Sequence, residues 1–587
     1  MAINSAFIKA SSPQTKKSGT LAPTPIHRGL EFYGRFWVGS RQGGIAGGKG
    51  ETSNAQRPTF NVSIRNTRKC SSLELNVGRW TLSVGRFPVS RLQLSLIVLA
   101  VWAVIYLPGL GTLEIKGEEG RRILPAVTML QTGNFIVPQV GSDPYFRKPP
   151  LINWLVAAAF KITGRQNEWC ARLPSVLCVL AVALAFVTIG RGALGANGSL
   201  IGALVWMTNF GIVEKGRLIE IEALYASLTG LAFICWLSWW QERRSPWLTW
   251  IVPWIFLGLG MLAKGPLHLI FFYAVMFAVL YRQSELRRVW NPAHVIGVAL
   301  MLAIFSAWAI PCLQMMPGND VAHTWTRQFS GRLTGEDFKF GGWILNIPRG
   351  LGYFLPWTLL FLFVRRTSPA EAEGNVELRT GESDDAARCN STSDVQSGLA
   401  WGIGLSFLGV SLLPGSLARY TMPLLVPASW LVASILTTNR LALPHWLRVR
   451  WPSALPAELR LPAIVAGLVC GAIVIYVVAL TPVLRKREKV RNIAAEINRA
   501  LPPNEPLYAV DPDYQPALFY VRDPIIYLGR VSDAPTSARF LLVQPAAEPE
   551  ALRSEQWAPR KARTLLRLRD YRKKEIIVLG VEEVKDF

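Results

Sequence analysis

Long apolar runs constrain this chain more than any other feature. Leu92–Gly111 (LQLSLIVLAVWAVIYLPGLG) holds 20 residues without one charge, and about 20 apolar residues at helical rise cross a hydrocarbon core. Further runs follow near 172–189, 196–213, 220–240, 247–263, 266–282, 293–313, 343–364, 398–413, 417–437 and 461–482. A helical polytopic membrane protein with about 11 spans, in the range 11–13, is therefore expected. The shorter stretch 150–160 (PLINWLVAAAF) predicts an external interfacial helix. Only 17% of the residues are charged, against roughly 25% in soluble chains. Seven scattered cysteines form no CxxC pair, which argues against a disulfide framework or a zinc ribbon.

The net charge of +24 has to be located before it is interpreted. Residues 1–91 contribute 14 basic and 3 acidic side chains, rich in Ser, Gly and Arg. That composition cannot bury a core and predicts a basic disordered tail, a transit-type segment or an over-extended start. The remaining cations alternate. With the tail cytoplasmic, Arg191, Arg243, Arg244, Arg287, Arg288, Arg365, Arg366, Arg440, Arg448 and Arg450 all fall on that side, as the positive-inside rule expects. The charge thus follows topology and lipid, and nucleic acid is not expected as a partner. The opposite face receives a first external loop, 112–171, within a spanning domain of 92–482. Residues 366–397 read as a polar cytoplasmic loop. Residues 483–587 read as a small soluble α/β domain on the outer face, with a helix over 485–500 and strands at PLYAV, ALFYV, PIIYLG, RFLLV and EIIVLG.

The unusual residues gather on the external side. Glu118, Glu119, Arg121 and Arg122 follow the first span. A carboxylate beside cations can take an acceptor's proton while the cations hold a phosphate leaving group, although such a cluster is also an ordinary solvated turn. Tyr145-Phe146-Arg147-Lys148-Pro149-Pro150 presents aromatic and basic groups at lipid-phosphate level, where they would serve equally as anchors. In Glu214-Lys215-Gly216-Arg217-Leu218-Ile219-Glu220-Ile221-Glu222, Glu222 enters a long apolar helix and should face a polar cavity. Glu220 reads as solvated at the rim. Lys264 stands alone between two apolar runs, and His268 reads as a hydrogen bonder inside the bundle. Residues 323–357 mix aromatic and basic side chains, and Arg419 and Tyr420 stand where prolines break a helix. Arg217, Arg419 and Tyr420 are candidates for lining a cavity.

The order of these features resembles the polyprenyl-phosphate-sugar-dependent glycosyltransferases of the GT-C fold: acidic pair with arginine, KPPL turn, R-x-x-x-x-acid helix start, KGP turn, R-Y-x-x-P segment. The branch it is most similar to is that of the bacterial aminoarabinose (lipid A) transferases and protein O-mannosyltransferase-like enzymes. The resemblance runs from about 92 to 482 and is most specific over 113–155. It implies a polyprenyl (undecaprenyl-type) phosphate sugar as donor and a lipid, glycan or protein acceptor at the outer face of the cytoplasmic (inner) membrane. It places Glu118 at the family's catalytic loop aspartate, with Glu119 as the other carboxylate of the pair, and Glu222 at a second acidic position. Arg121, Tyr145, Lys148 and Lys264 fall at positions associated with the donor phosphate. The family usually has Asp where this chain has Glu118 and Glu222. No ligand spacing demands a metal, and some relatives use a divalent ion. A transporter or flippase of lipid-linked sugars, or a non-catalytic membrane assembly factor, would be the alternatives. Against the first stand the charges collected at one face and the lack of an evident internal repeat.

Overall fold

The structure, a computed structural model, describes residues 90–583 apart from 142, 146, 147, 317–320, 322, 327–329, 331–337, 339, 364–382, 439–454, 513, 523 and 571. The basic tail expected over 1–91 lies almost wholly outside the described residues.

Each apolar run becomes a helix where local chemistry allows one. Helix α1 (Arg91–Tyr106) opens on a capping box in which the Ser90 hydroxyl accepts from the Gln93 amide at 3.1 Å and the Gln93 side chain accepts from the Ser90 amide at 2.8 Å. A short 3₁₀ turn, Gly117–Glu119, leads into α2 (Gly120–Thr132). A minimal hairpin of β1 (Gln139–Val140) and β2 (Asp143–Pro144) precedes α3 (Leu151–Thr163). Then come α4 (Glu168–Thr188), α5 (Arg191–Thr208), α6 (Phe210–Lys215), α7 (Ile221–Gln241), α8 (Pro246–Lys264), α9 (Leu267–Arg282) and α10 (Pro292–Met315). After these follow α11 (Asn346–Tyr353), α12 (Ser383–Ser411), α13 (Leu425–Thr437) and α14 (Ala457–Ile475), the last continuing through a π turn to Arg485. Six helical segments among the described residues are long and apolar enough to cross a membrane: α4, α7, α8, α10, Ala418–Thr437 and Ala457–Arg485. Helices α1 and α9 are shorter and apolar.

Two expectations are corrected here. The run 343–364 is not one continuous span. It breaks into Phe340–Trp343, α11 and a 3₁₀ turn at Trp357–Phe363; Pro348 is tolerated in the first turn of α11, whereas Pro356 lacks an amide donor and biases Leu355 away from the helix. The polar segment 366–397 is helical from Ser383 onward and continues into the apolar part of α12; its first part, 366–382, lies outside the described residues.

Helix α7 forms the centre of the bundle, packed on α8 and α4; its own Trp236 is fully buried, as are Trp206, Trp254 and Trp430 in the same core. Helices α9 and α12 approach most closely at Gly398 and Gly402. A Cβ there would lie 2.7 Å and 2.5 Å from backbone atoms of Val279 and Val275. Small residues four apart let two backbones touch where no hydrophobic force drives helices together. Gly402→Leu should therefore force the pair apart and lower folded abundance in detergent, read by size-exclusion chromatography; an unchanged monodisperse peak would refute the contact.

The C-terminal segment carries α15 (Val490–Ala500) and a five-stranded sheet of β3 (Leu507–Val510), β4 (Ile525–Leu528), β5 (Phe540–Val543), β6 (Arg560–Arg569) and β7 (Glu575–Glu583). The strand order is β4-β3-β5-β7-β6, with β3 parallel to β4 and β5 and the remaining pairs antiparallel. Strands β3 and β5 are buried throughout, as strands covered on both faces must be. The segment ALFYV is a 3₁₀ turn rather than a strand, opened by Pro516. Strand β6 escaped the hydrophobic pattern because it is an edge strand full of arginine, a residue that protects such edges.

This sheet does not stand apart from the bundle. All described residues belong to one compact unit. Leu507, Ala509, Phe540 and Leu542 share a core with Ile115, Ile123, Leu151 and Ile219 from the segments around α2, α3 and the start of α7. The Glu114 carboxylate accepts from the amides of Val490 (2.8 Å) and Arg491 (3.2 Å) and so caps α15 from the loop that follows α1. The Tyr520 hydroxyl, accepting from the Ile115 amide at 2.6 Å, donates to Glu168 at 2.9 Å, and Glu168 is also paired with Arg491.

Candidate active site

The turn Gly117–Glu119 sets two adjacent carboxylates in opposite directions. Glu118 sits three and four residues before Arg121 and Arg122, a spacing that places them on one helical face. Its oxygens lie 3.0 Å from Arg121 Nη1 and 3.4 Å from Arg122 Nη2, and its side chain keeps 38% exposure. Arg122 is buried and donates to the Tyr145 hydroxyl at 2.8 Å. Its Nε is buried with no hydrogen-bond partner among the described residues. Arg121 lies over the Tyr514 ring at 4.9 Å.

A second ionic group faces this one. Glu222 begins α7, where free backbone amides favour a carboxylate. It is buried, with Lys264 Nζ at 3.2 Å and Arg419 Nε at 3.3 Å. A buried carboxylate is tolerated only when paired in this way. The Lys264 ammonium in turn rests over Tyr420 at 4.7 Å and Tyr225 at 5.4 Å, a cation–aromatic arrangement that fixes its position. The two groups are electrostatically continuous: Arg122 acts on Glu222, and Glu118 acts on Arg419. Four cations therefore surround two carboxylates, an excess of positive charge suited to a phosphate.

Glu118, Arg121, Tyr145, Glu222, Lys264, Arg419 and Tyr420 are thus brought into two adjoining ionic groups from five stretches of sequence. Lys148 is half-buried in the turn that enters α3; Arg147 lies outside the described residues, as do 327–329, 331–337 and 339 within 323–357. Two residues were underrated in the sequence. Arg122 repeats the helical spacing from Glu118, and Tyr225 lies one turn after Glu222.

Three residues have other work. Glu119 is buried in a two-toothed pair with Arg172, with Nε and Nη2 both at 2.8 Å, and it also accepts from the Ile219 amide at 3.1 Å. Its oxygens are thereby committed to joining the turn before α2, helix α4 and the segment leading to α7. Arg217 does not line the site; it donates to the carbonyls of Ile105 and Pro108 and closes the C-terminal end of α1. Glu220 is not solvated at a rim: it is buried and paired with Lys215 at 3.2 Å. Burial raises its carboxyl above the ordinary range, Lys215 opposes that, and the Glu222 charge adds to it. His268 hydrogen-bonds Tyr225 and the carbonyls of Leu257 and Gly265 inside the bundle. Among the described residues no three His, Cys, Asp or Glu side chains group to hold a metal ion.

Comparison with solved structures places this architecture. ArnT from Cupriavidus metallidurans, in the apo state, superposes with a TM-score of 0.55 at 17% identity, over 83% of this chain and 97% of that one. The same protein bound to undecaprenyl phosphate gives 0.54 over the same shares. The chain has the GT-C fold. Within that fold, residues 147–310 match the dolichyl-phosphate-mannose-protein mannosyltransferase family. The matched stretch takes in Glu222 and Lys264; Glu118 precedes it. An undecaprenyl phosphate-alpha-4-amino-4-deoxy-L-arabinose arabinosyl transferase of Pseudomonas savastanoi pv. phaseolicola is 27% identical over 368 residues, covering 60% of this chain. The chain spans 62% of the length of that curated relative. The GT-C resemblance read from the sequence is borne out, and with it a multi-pass membrane protein.

Proposed function

We propose that this GT-C protein is a glycosyltransferase of the inner membrane. It takes a sugar from a polyprenyl (undecaprenyl-type) phosphate and transfers it to a lipid, glycan or protein acceptor at the outer face. One observation carries this reading: half-exposed Glu118 is paired with Arg121 and Arg122, while buried Glu222 from a separate stretch holds Lys264 and Arg419, so that two carboxylates share four cations. The named activities of the relatives support the same chemistry.

The reaction is a displacement at the anomeric carbon. An acceptor heteroatom forms the new bond, Glu118 takes its proton, and the bond from that carbon to the phosphate oxygen breaks with its electron pair. The departing polyprenyl phosphate gains negative charge, which Arg121, Arg122, Lys264 and Arg419 stabilise. The Tyr145 hydroxyl, held by Arg122, and Lys148 add donors on the side of the KPPL turn. Glu222 keeps Lys264 and Arg419 oriented. The alternating basic loops support a cytoplasmic N-terminus and an external C-terminal sheet.

Reconstitution into liposomes with synthetic polyprenyl-phosphate sugars and candidate acceptors tests this reading. Release of polyprenyl phosphate should match glycosylated acceptor one to one. Donor that crosses the bilayer unconsumed would identify a flippase, and donor that neither moves nor reacts would end the enzyme assignment.

A further inference from the structure

The C-terminal sheet does more than cover the external loop, because it sends one side chain to the turn that bears Glu118. Tyr514 follows β3 and is buried. Its hydroxyl donates to the carbonyl of Gly117, the residue before Glu118. Its ring receives Arg121 at 4.9 Å and a second guanidinium, Arg572, at 5.0 Å. Arg572 is itself tied to Asp570 at 2.8 Å and to the Tyr514 carbonyl. Gly120 completes the fit: a Cβ there would lie 2.6 Å from the Tyr514 hydroxyl oxygen. Close by, Pro512 packs on Gly141, where a Cβ would come within 3.1 Å, so the domain meets the loop at the hairpin as well.

These contacts converge on one dipeptide neighbourhood. The backbone before Glu118, the space at Gly120 and the guanidinium of Arg121 are all set by a residue almost 400 positions away (a separation of 397 in the hydrogen bond). An arginine on an exposed turn would sample many rotamers; stacked on an aromatic face it keeps few. We infer that Tyr514 is a positioning residue of the candidate active site, fixing Arg121 and the Glu118 turn so that the phosphate of a polyprenyl-phosphate ligand meets a preformed guanidinium. The inference rests on the phosphate-binding reading of Arg121 proposed above. It also makes the external sheet an integral part of the site.

The coupling can be measured by binding alone, so it does not depend on transfer being observed. The full-length protein in detergent is titrated with polyprenyl phosphate in four forms: wild type, Tyr514→Leu, Arg121→Ala and the double variant. Tyr514→Leu should weaken binding about tenfold in the wild-type background and less than about twofold once Arg121 is absent, as expected for residues that act as a pair. Tyr514→Phe, which keeps the ring, should recover most of the affinity. Equal losses in both backgrounds, or no loss, would overturn the inference while leaving the enzyme assignment standing. A wild-type protein that binds polyprenyl phosphate but transfers no sugar would fail the enzyme assignment alone. One that does not bind it would overturn both. If Tyr514→Leu does not accumulate, Gly120→Ala provides the same test by crowding the Tyr514 hydroxyl, and the same loss that disappears without Arg121 is expected.

Discussion

Glu118→Gln should reduce sugar transfer by about 10²- to 10⁴-fold, the contribution of a positioned proton acceptor, while abundance and binding of polyprenyl phosphate stay within about twofold of wild type. The amide keeps the shape of the carboxylate, and its one oxygen can still accept from Arg121 at 3.0 Å, while the longer contact with Arg122, at 3.4 Å, is given up. What it loses is basicity. Arg121 stays stacked on Tyr514, and buried Arg122 keeps the Tyr145 hydroxyl and the nearby Glu222 charge, so neutralising the 38% exposed Glu118 does not strip the site of counter-charge. Glu118→Asp is the sharper companion. The resemblance places an aspartate at this position in related enzymes, so a cavity built for the longer side chain should lose activity on shortening. A misplacement of about 1 Å costs roughly 100-fold. Initial rates at saturating donor, with released polyprenyl phosphate quantified by mass spectrometry, decide both. Full activity in Glu118→Gln would remove the proposed base; a gain in Glu118→Asp would mean that the cavity still fits the shorter acid.

The fold was legible where structure depends on local composition. Twenty apolar residues make a spanning helix regardless of what surrounds them, so runs such as 220–240 and 247–263 map onto α7 and α8 within a few residues. Ionic residues that interrupt such runs, Glu222 and Lys264, stood out because hydrocarbon tolerates them only for cause, and their meeting at 3.2 Å explains them. What composition could not assign was partnership. The partner of Glu119 is Arg172, 53 residues downstream, and Arg217 closes carbonyls 112 and 109 residues upstream. Neighbouring sequence therefore made Glu119 resemble Glu118, and made Arg217 resemble a site residue. Tyr514 was invisible for the same reason: a tyrosine in a β-rich segment carries no sign that its ring lies under a distant arginine. The edge strand β6 was lost differently, since its arginines pair outward with Glu548, Glu575 and Glu582 and mask the strand period.

The two adjacent glutamates should separate most clearly in stability. Glu119→Ala removes one member of a buried ion pair whose side chains are 5% and 3% exposed, and such removal costs about 3–5 kcal/mol because the remaining charge is stranded. The stranded group here is Arg172, which also donates to the carbonyls of Leu110 (2.7 Å) and Leu113 (3.0 Å) at the end of the first span. The Ile219 amide would lose its acceptor as well. Three segments are joined through this one carboxylate: the turn before α2, the first turns of α4 and the residue leading to α7. Glu119→Ala should therefore appear as low membrane abundance and a melting temperature in detergent far below that of Glu118→Gln. Replacing both partners, Glu119→Leu with Arg172→Leu, should recover part of the loss, since neither charge remains, though not all of it, because the carbonyls of Leu110 and Leu113 stay without their donor. A Glu119→Ala protein as stable as wild type but inactive would reverse the assignment, making Glu119 the proton acceptor and Glu118 its charged neighbour. The buried pairing argues for the opposite outcome: a carboxylate that must change protonation in every cycle cannot also be the two-toothed partner of a buried arginine that holds three segments together.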